Sequence, residues 1–197
     1  MFKVFIYYLF FLLVGCNSRP TDILVSPENF YQVSERVYRS GQPTPGEMKW
    51  LEAQGIKTII NLREYHSDSN DVKGTQLETF HVKMNAGRIN DKGVIEVLRK
   101  INSTSDPVLV HCWHGSDRTG TVIAMYRLIF ENWTKEQAIA ELRKKEYGYH
   151  ELFFPNIIQY LEEIDISAIK QQVFNQQVAD KQIIDLIRYL RNENSVC

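Results

Sequence analysis

The apolar positions change their spacing several times along the chain, and each change marks an element. After a continuous apolar run from Val4 to Val14, residues 29 to 43, NFYQVSERVYRSGQP, give two short aromatic and β-branched runs around Ser34 and Glu35, the pattern of a strand pair. Thr44 then reads as a helix N-cap, with Pro45 at the first helical position, Glu47 completing a capping box and Gly55 as the stop, so that Met48 and Leu51 face inward. Residues 56 to 63, IKTIINLR, form an apolar run closed by polar residues, as expected of a strand buried on both faces. A polar stretch from Glu64 to Glu78 carries no periodicity. In FHVKM, alternation of Phe80, Val82 and Met84 predicts another strand, and Asn90 or Asp91 opens a helix with Val94, Ile95, Leu98 and Ile101 on one side. PVLVH, from Pro107, is the last strand. From Arg118 to Phe130 the chain is apolar almost all round, which marks a deeply packed helix. Thr134 and Gln137 make a second capping box behind Trp133, with Ile139 and Leu142 turned inward. Helices from about Asn156 finish the pattern, and Ile183, Ile184, Ile187 and Leu190 lie at helical spacing in an extension that starts near residue 164.

Alternating strand and helix signals predict an α/β fold: a central, mainly parallel sheet with helices on both faces. Ligands of such sheets bind at the carboxyl ends of the strands. The length of 197 residues, with 44% hydrophobic residues, suits one domain, set here at 29 to 197. A formal net charge of -1, without a block of like charges, gives no reason to expect nucleic acid as a partner. The first residues differ in composition from the rest. Lys3 precedes an apolar run too short to span a bilayer as a helix and of the length of a signal-peptide core. It closes on LVGC, Leu13 to Cys16, which resembles the lipobox of bacterial lipoprotein precursors. That resemblance implies a signal peptide over residues 1 to 15, lipid on Cys16, a tether over 16 to 28, and export to a membrane-anchored position on the periplasmic side or cell surface. The three cysteines, Cys16, Cys112 and Cys197, form neither a disulfide framework nor a metal-ligand spacing.

The chemistry concentrates in PVLVHCWHGSDRTGTVIAMY, residues 107 to 126. A loop between a buried strand and the N-terminus of a buried helix presents backbone N–H groups without partners, and the helix dipole adds positive potential. An anion fits there, and Gly115 permits the backbone geometry this needs. Trp113, His114, Gly115, Ser116, Asp117 and Arg118 are the candidate phosphate-binding residues, with the Arg118 fork able to hold two oxygens at once. The same environment favours the thiolate of Cys112. The combination predicts attack of Cys112 on phosphorus, a phosphocysteine intermediate and hydrolysis by water, with Thr119 donating to the sulfur as it leaves and His111 orienting the loop from the strand side.

HCWHGSDRTG matches the His-Cys-x5-Arg-Ser/Thr-Gly signature of the cysteine-dependent protein tyrosine phosphatase superfamily, and VYRSGQPTPGEMKWLEAQGIKTIINLRE resembles the opening of its small bacterial and plant members close to dual-specificity phosphatases. The similarity runs from about residue 30 to about residue 162. It implies Cys112 as nucleophile, Arg118 as phosphate ligand, and no metal or organic cofactor. Two residues compete as the acid that protonates the leaving group. Asp91, in a loop upstream of the cysteine, matches the usual position but also reads as part of a helix start. Asp117 occupies the place where myotubularin-like lipid phosphatases and some bacterial tyrosine phosphatases carry an acid, and is preferred. The absence of lysine within WHGSD favours a phosphorylated protein or small phosphomonoester over a phosphoinositide or phospholipid headgroup. Trp113 is read as a core residue, His150 as structural, and Arg63 and Arg88 as possible parts of a positive rim. A sulfurtransferase or oxyanion reductase, and a phosphate-binding module without turnover, are the remaining alternatives.

Overall fold

The computed structural model describes residues 25–175. The expected signal peptide, Cys16, most of the expected tether, Cys197 and the apolar positions from Ile183 to Leu190 lie outside the described residues; among the described residues no helix is long and apolar enough to cross a membrane.

Among the described residues five strands form one sheet in the order β1-β2-β5-β3-β4, with β1 at Tyr31–Gln32, β2 at Val37–Ser40, β3 at Thr58–Asn61, β4 at Glu78–His81 and β5 at Val108–His111. Only β1 runs antiparallel to its neighbour. Register places Ser40, His111, Asn61 and His81 in one row across the carboxyl ends of the four parallel strands. That row is the floor on which the site stands.

Alternation along the strands splits the core. Ile59 and Leu109 face α1 (Pro45–Ala53) with Met48, Leu51, Ile56 and Leu77, whereas Val37, Ile60, Val108 and Val110 face the larger cluster. The latter is covered by α2 (Asp91–Ser103), α3 (Asp117–Phe130), α4 (Lys135–Leu142) and α5 (Asn156–Glu163). Helices therefore flank both faces, unequally. In α3, Val122, Ile123, Met125, Leu128 and Ile129 are all buried, each contributing about 1.5–3 kcal/mol relative to exposure. This fixes the helix whose N-terminus closes the site. Residues 166–175 are helical, and Ile169 and Val173 belong to the same core.

Both capping boxes form: Thr44 with Glu47 starts α1, and Thr134 with Gln137 starts α4. Each such cap contributes about 1 kcal/mol. Arg127 then ties three elements together, its guanidinium meeting Glu141 through two N–H groups, Glu131 through a third, and the carbonyl of Val33.

One boundary differs from the pattern. The fourth strand is Glu78–His81, not residues 80 to 84. As an edge strand it leaves Glu78 and Thr79 exposed, so the alternation is carried by Val82 and Met84 after the ladder ends. These two pass beneath Gly93 in the first turn of α2 while still donating to the carbonyls of Asn61 and Leu62 at 2.9 and 3.3 Å.

Candidate active site

Cys112 follows the last residue of β5 and α3 begins at Asp117, so residues 112 to 116 close a turn directly above the row of strand ends. Its shape is set by what its carbonyls meet. Cys112 O accepts from His111 Nδ1 at 3.1 Å, Trp113 O from the Gln42 amide at 2.9 Å, His114 O from Asn29 Nδ2 at 2.9 Å, and Gly115 O from Arg39 at 2.6 Å. Four consecutive carbonyls are thereby held outward. Among the described residues the N–H groups of Trp113, His114, Gly115 and Ser116 donate to nothing, as an anion cradle requires. Gly115 has φ of 75°, and an added Cβ would lie 2.5 Å from the Ser40 carbonyl carbon, so the loop rests on the end of β2 where no side chain fits.

Arg118 is half-buried, and its guanidinium makes no hydrogen bond or ion pair among the described residues, unlike Arg39, Arg63 and Arg127, each of which bonds to protein. Cys112 is buried, and among the described residues its thiol is free. A cleft of ≈ 390 Å³ opens onto the loop, lined by Ala86, Trp113, His114, Asp117, Arg118, His150, Phe153 and Phe154. A second groove shares Arg118 and Trp113 and adds Arg63, Glu64 and Tyr65.

Several placements differ from expectation. Trp113 is 55% exposed and lines the mouth, with the Arg63 guanidinium 4.0 Å above its ring, because its side chain points away from the strand row that holds its backbone. Asp117, the preferred acid, is engaged by His150 and not by Arg118. Its Oδ1 accepts from the His150 amide at 2.9 Å, and Oδ2 faces His150 Nδ1 at 3.0 Å. Asp91 takes the first position of α2 beside Tyr160 and does not line the cleft, while the cap itself is Asn90, which accepts from Gly93. Burial, and then the Asp91 charge, push the Tyr160 hydroxyl well above its ordinary range. The Thr119 hydroxyl is buried and has no partner among the described residues, so the bond to sulfur is not made. Arg63 reaches the rim, but Arg88 lies in a separate groove with Lys83 and Asn90. His114 is exposed above the loop, its ring 5.6 Å from that of His150.

Two supporting residues escaped the sequence reading. Arg39, 1% exposed, lies beneath the loop with Tyr147 stacked 4.1 Å from its guanidinium, and burial lowers its pKa despite nearby acidic groups. Its only signal was a place two residues after Val37 on the inward face of β2. Asp68, 2% exposed, bonds His111 Nε2 at 2.8 Å, Asn61 Nδ2 at 3.0 Å and Gln42 Nε2 at 3.1 Å. Burial opposes its ionisation, yet the His111 hydrogen bond and charge, with Gln42 and His66, hold its pKa below the ordinary carboxylate range. His66, Asp68 and Asp71 cluster closely enough for a cation, but the Asp68 oxygens already accept the N–H groups named above.

A buried cysteine and an uncommitted arginine at the two ends of an amide-lined turn define the class of the cysteine-dependent phosphatases. The family model described as the tyrosine phosphatase family matches residues 24–183, and the chain belongs to that family. It is 30% identical over 122 residues to the dual specificity protein phosphatase TpbA of Pseudomonas aeruginosa, covering 61% of this chain and 56% of TpbA, so it spans little more than half the length of that relative. Inositol diphosphatase DSP3 of Arabidopsis thaliana is 25% identical over 174 residues, 81% of each chain. Among solved structures, P. aeruginosa TpbA in complex with pTyr superposes with a TM-score of 0.68 at 27% identity, covering 75% of this chain and 91% of that one. The catalytic domain of the S. cerevisiae PP-IP phosphatase SIW14 gives 0.64 at 26% identity, covering 81% and 95%.

Proposed function

We propose that the chain hydrolyses phosphomonoesters through a Cys112 phosphocysteine, with a phosphotyrosine-bearing protein as its substrate class. The reading is carried by one observation: the Arg118 guanidinium has no partner among the described residues and stands at the end of a loop with four carbonyls held outward and Cys112 at the other end. A phosphate dianion supplies what both Arg118 and the free amides lack. In transfer its charge is spread over three equatorial oxygens that these donors reach together, so they bind the transition state more strongly than the ester. Trp113, Phe153 and Phe154 at the cleft suit an aromatic leaving group. The pTyr complex of TpbA agrees with that substrate class.

A second reading, hydrolysis of an inositol diphosphate or a phosphorylated lipid headgroup, is favoured by the neighbouring groove, where Arg63 stands beside Arg118, and by the relatives named inositol diphosphatases. Phosphate release from a phosphotyrosine peptide and from an inositol diphosphate separates the two. In both, Cys112→Ser abolishes turnover and Arg118→Lys lowers kcat about 10²–10³-fold, the scale of losing a transition-state donor. Equal activity in all three proteins overturns the proposal.

The N-terminal segment supports a further reading, export and lipid attachment at Cys16, from its apolar run and LVGC. Labelling of wild type but not Cys16→Ser by a clickable fatty acid tests it. Equal labelling of both excludes Cys16 as the site.

A further inference from the structure

Resting on the hydrolase reading above, we infer that His150, held by Asp117, is the group that gives the leaving oxygen its proton. Asp117 is well placed in the cleft but poorly disposed to donate. Its Oδ1 accepts from the His150 amide at 2.9 Å and faces Nδ1 at 3.2 Å, and Oδ2 faces Nδ1 at 3.0 Å. Each oxygen already faces an N–H of His150, so only its remaining lone pair is left to carry a proton. The imidazole has the opposite disposition. Both neighbours of Nδ1 are carboxylate oxygens, so Nδ1 carries a hydrogen, while Nε2 has no partner among the described residues. The ring is 40% exposed and lines the same cleft as Arg118. The arrangement of carboxylate, Nδ1–H and free Nε2 is that of an oriented acid and base.

Gly148, in the left-handed region with φ of 66°, turns the chain so that residue 150 meets the start of α3. The groups around the ring are Asp117 and Arg118 from α3, His114 from the loop, and Tyr149 and Glu151 from its own segment. Glu151 is engaged by Arg143, and burial first, then the charges of Glu151 and Asp117, push Tyr149 up to about 12, so neither competes as a donor near neutral pH.

The step balances. As the bond from phosphorus to the leaving oxygen breaks and the sulfur–phosphorus bond forms, the imidazolium passes its Nε2 proton to that oxygen, releasing a neutral phenol. The neutral ring then takes a proton from the water that displaces the Cys112 thiolate from phosphorus. Inorganic phosphate leaves and the imidazolium is restored. Asp117 is a positioning residue in this scheme, acting through the ring.

The test compares wild type, His150→Gln, Asp117→Asn and the double variant on phenyl phosphate and p-nitrophenyl phosphate. His150→Gln keeps the backbone bond to Asp117, and vanadate inhibition confirms an intact loop. Loss of the donor lowers kcat/KM about 10²–10³-fold for phenyl phosphate but under tenfold for the better nitrophenolate leaving group, and removes the basic limb of the pH profile. Asp117→Asn shows a smaller loss and retains that limb, and the double variant is no worse than His150→Gln. Equal losses on both substrates, or wild-type turnover of phenyl phosphate by His150→Gln, overturn the assignment, as does a double variant whose loss is the product of the single ones. A wild-type protein that hydrolyses neither ester overturns the hydrolase reading itself.

Discussion

Gly115→Ala isolates the contact between the loop and the end of β2. The added Cβ would sit 2.5 Å from the Ser40 carbonyl carbon, 2.6 Å from its oxygen and 2.7 Å from the Gly41 nitrogen, all backbone atoms that no rotamer change can move. Reaching 3.4 Å, an ordinary contact, requires the loop to withdraw by about 0.9 Å. A left-handed alanine adds about 1–2 kcal/mol and the overpacking about 1–3 kcal/mol, so the fold loses about 2–5 kcal/mol, or roughly 5–15 °C in Tm. Catalysis suffers separately, because misplacing a reacting group by 1 Å costs about 10²-fold. Thermal denaturation and kcat/KM on p-nitrophenyl phosphate measure the two effects. Gly55→Ala is the control: φ is 89° but nothing lies within 4 Å of the new Cβ, so strain appears without loss of turnover. A Gly115→Ala protein within threefold of wild-type kcat/KM refutes the claim that this contact sets the loop.

Three further outcomes follow from buried polar contacts. Because Asp68 has a depressed folded pKa, its stabilising contribution is whole above the unfolded value of about 3.9 and is lost as pH falls through the lower folded value. The stability gap between wild type and Asp68→Asn, measured by urea unfolding, therefore shrinks from pH 7 to pH 3, and a constant gap refutes the assignment. Arg127→Ala strands Glu141, whose side chain is 7% exposed, and costs about 3 kcal/mol in the same assay; a loss below 1 kcal/mol would mean the ion pair is idle. Arg39→Met leaves the Gly115 carbonyl unpaired, at about 1–3 kcal/mol, and reduces turnover about tenfold by freeing the loop; unchanged kinetics would show that Arg39 only fills space.

What could be read from the sequence follows the range of the interactions. The capping boxes at Thr44 and Thr134 involve residues three apart, and the buried runs of β3, β5 and α3 encode their burial in their own composition. These elements appear where the pattern put them. The start of β4 was displaced because an edge strand has no hydrophobic face of its own to declare it. Asp68 was illegible for a related reason. It sits in an aperiodic polar stretch, and only the fold brings it to His111, 43 residues away. His150 likewise meets Asp117 across 33 residues, a contact that no local pattern declares.

The same distinction separates the signature from the site. HCWHGSDRTG supplies the thiol, the guanidinium and a glycine able to adopt positive φ, but it does not determine which way its amides face. A peptide unit turned over would present oxygens to the phosphate instead of hydrogens. What prevents this is supplied by three segments: Asn29 from the chain before β1, Arg39 and Gln42 at the end of β2, and His111, itself oriented by Asp68. Each holds one carbonyl outward, so each cradle N–H is oriented by a residue beyond the signature or at its edge. A chain with the signature intact but Asn29, Arg39 and Asp68 replaced would keep its nucleophile and arginine and lose the preorganised field between them. The anion site is thus a property of the sheet's carboxyl edge as much as of the loop it carries.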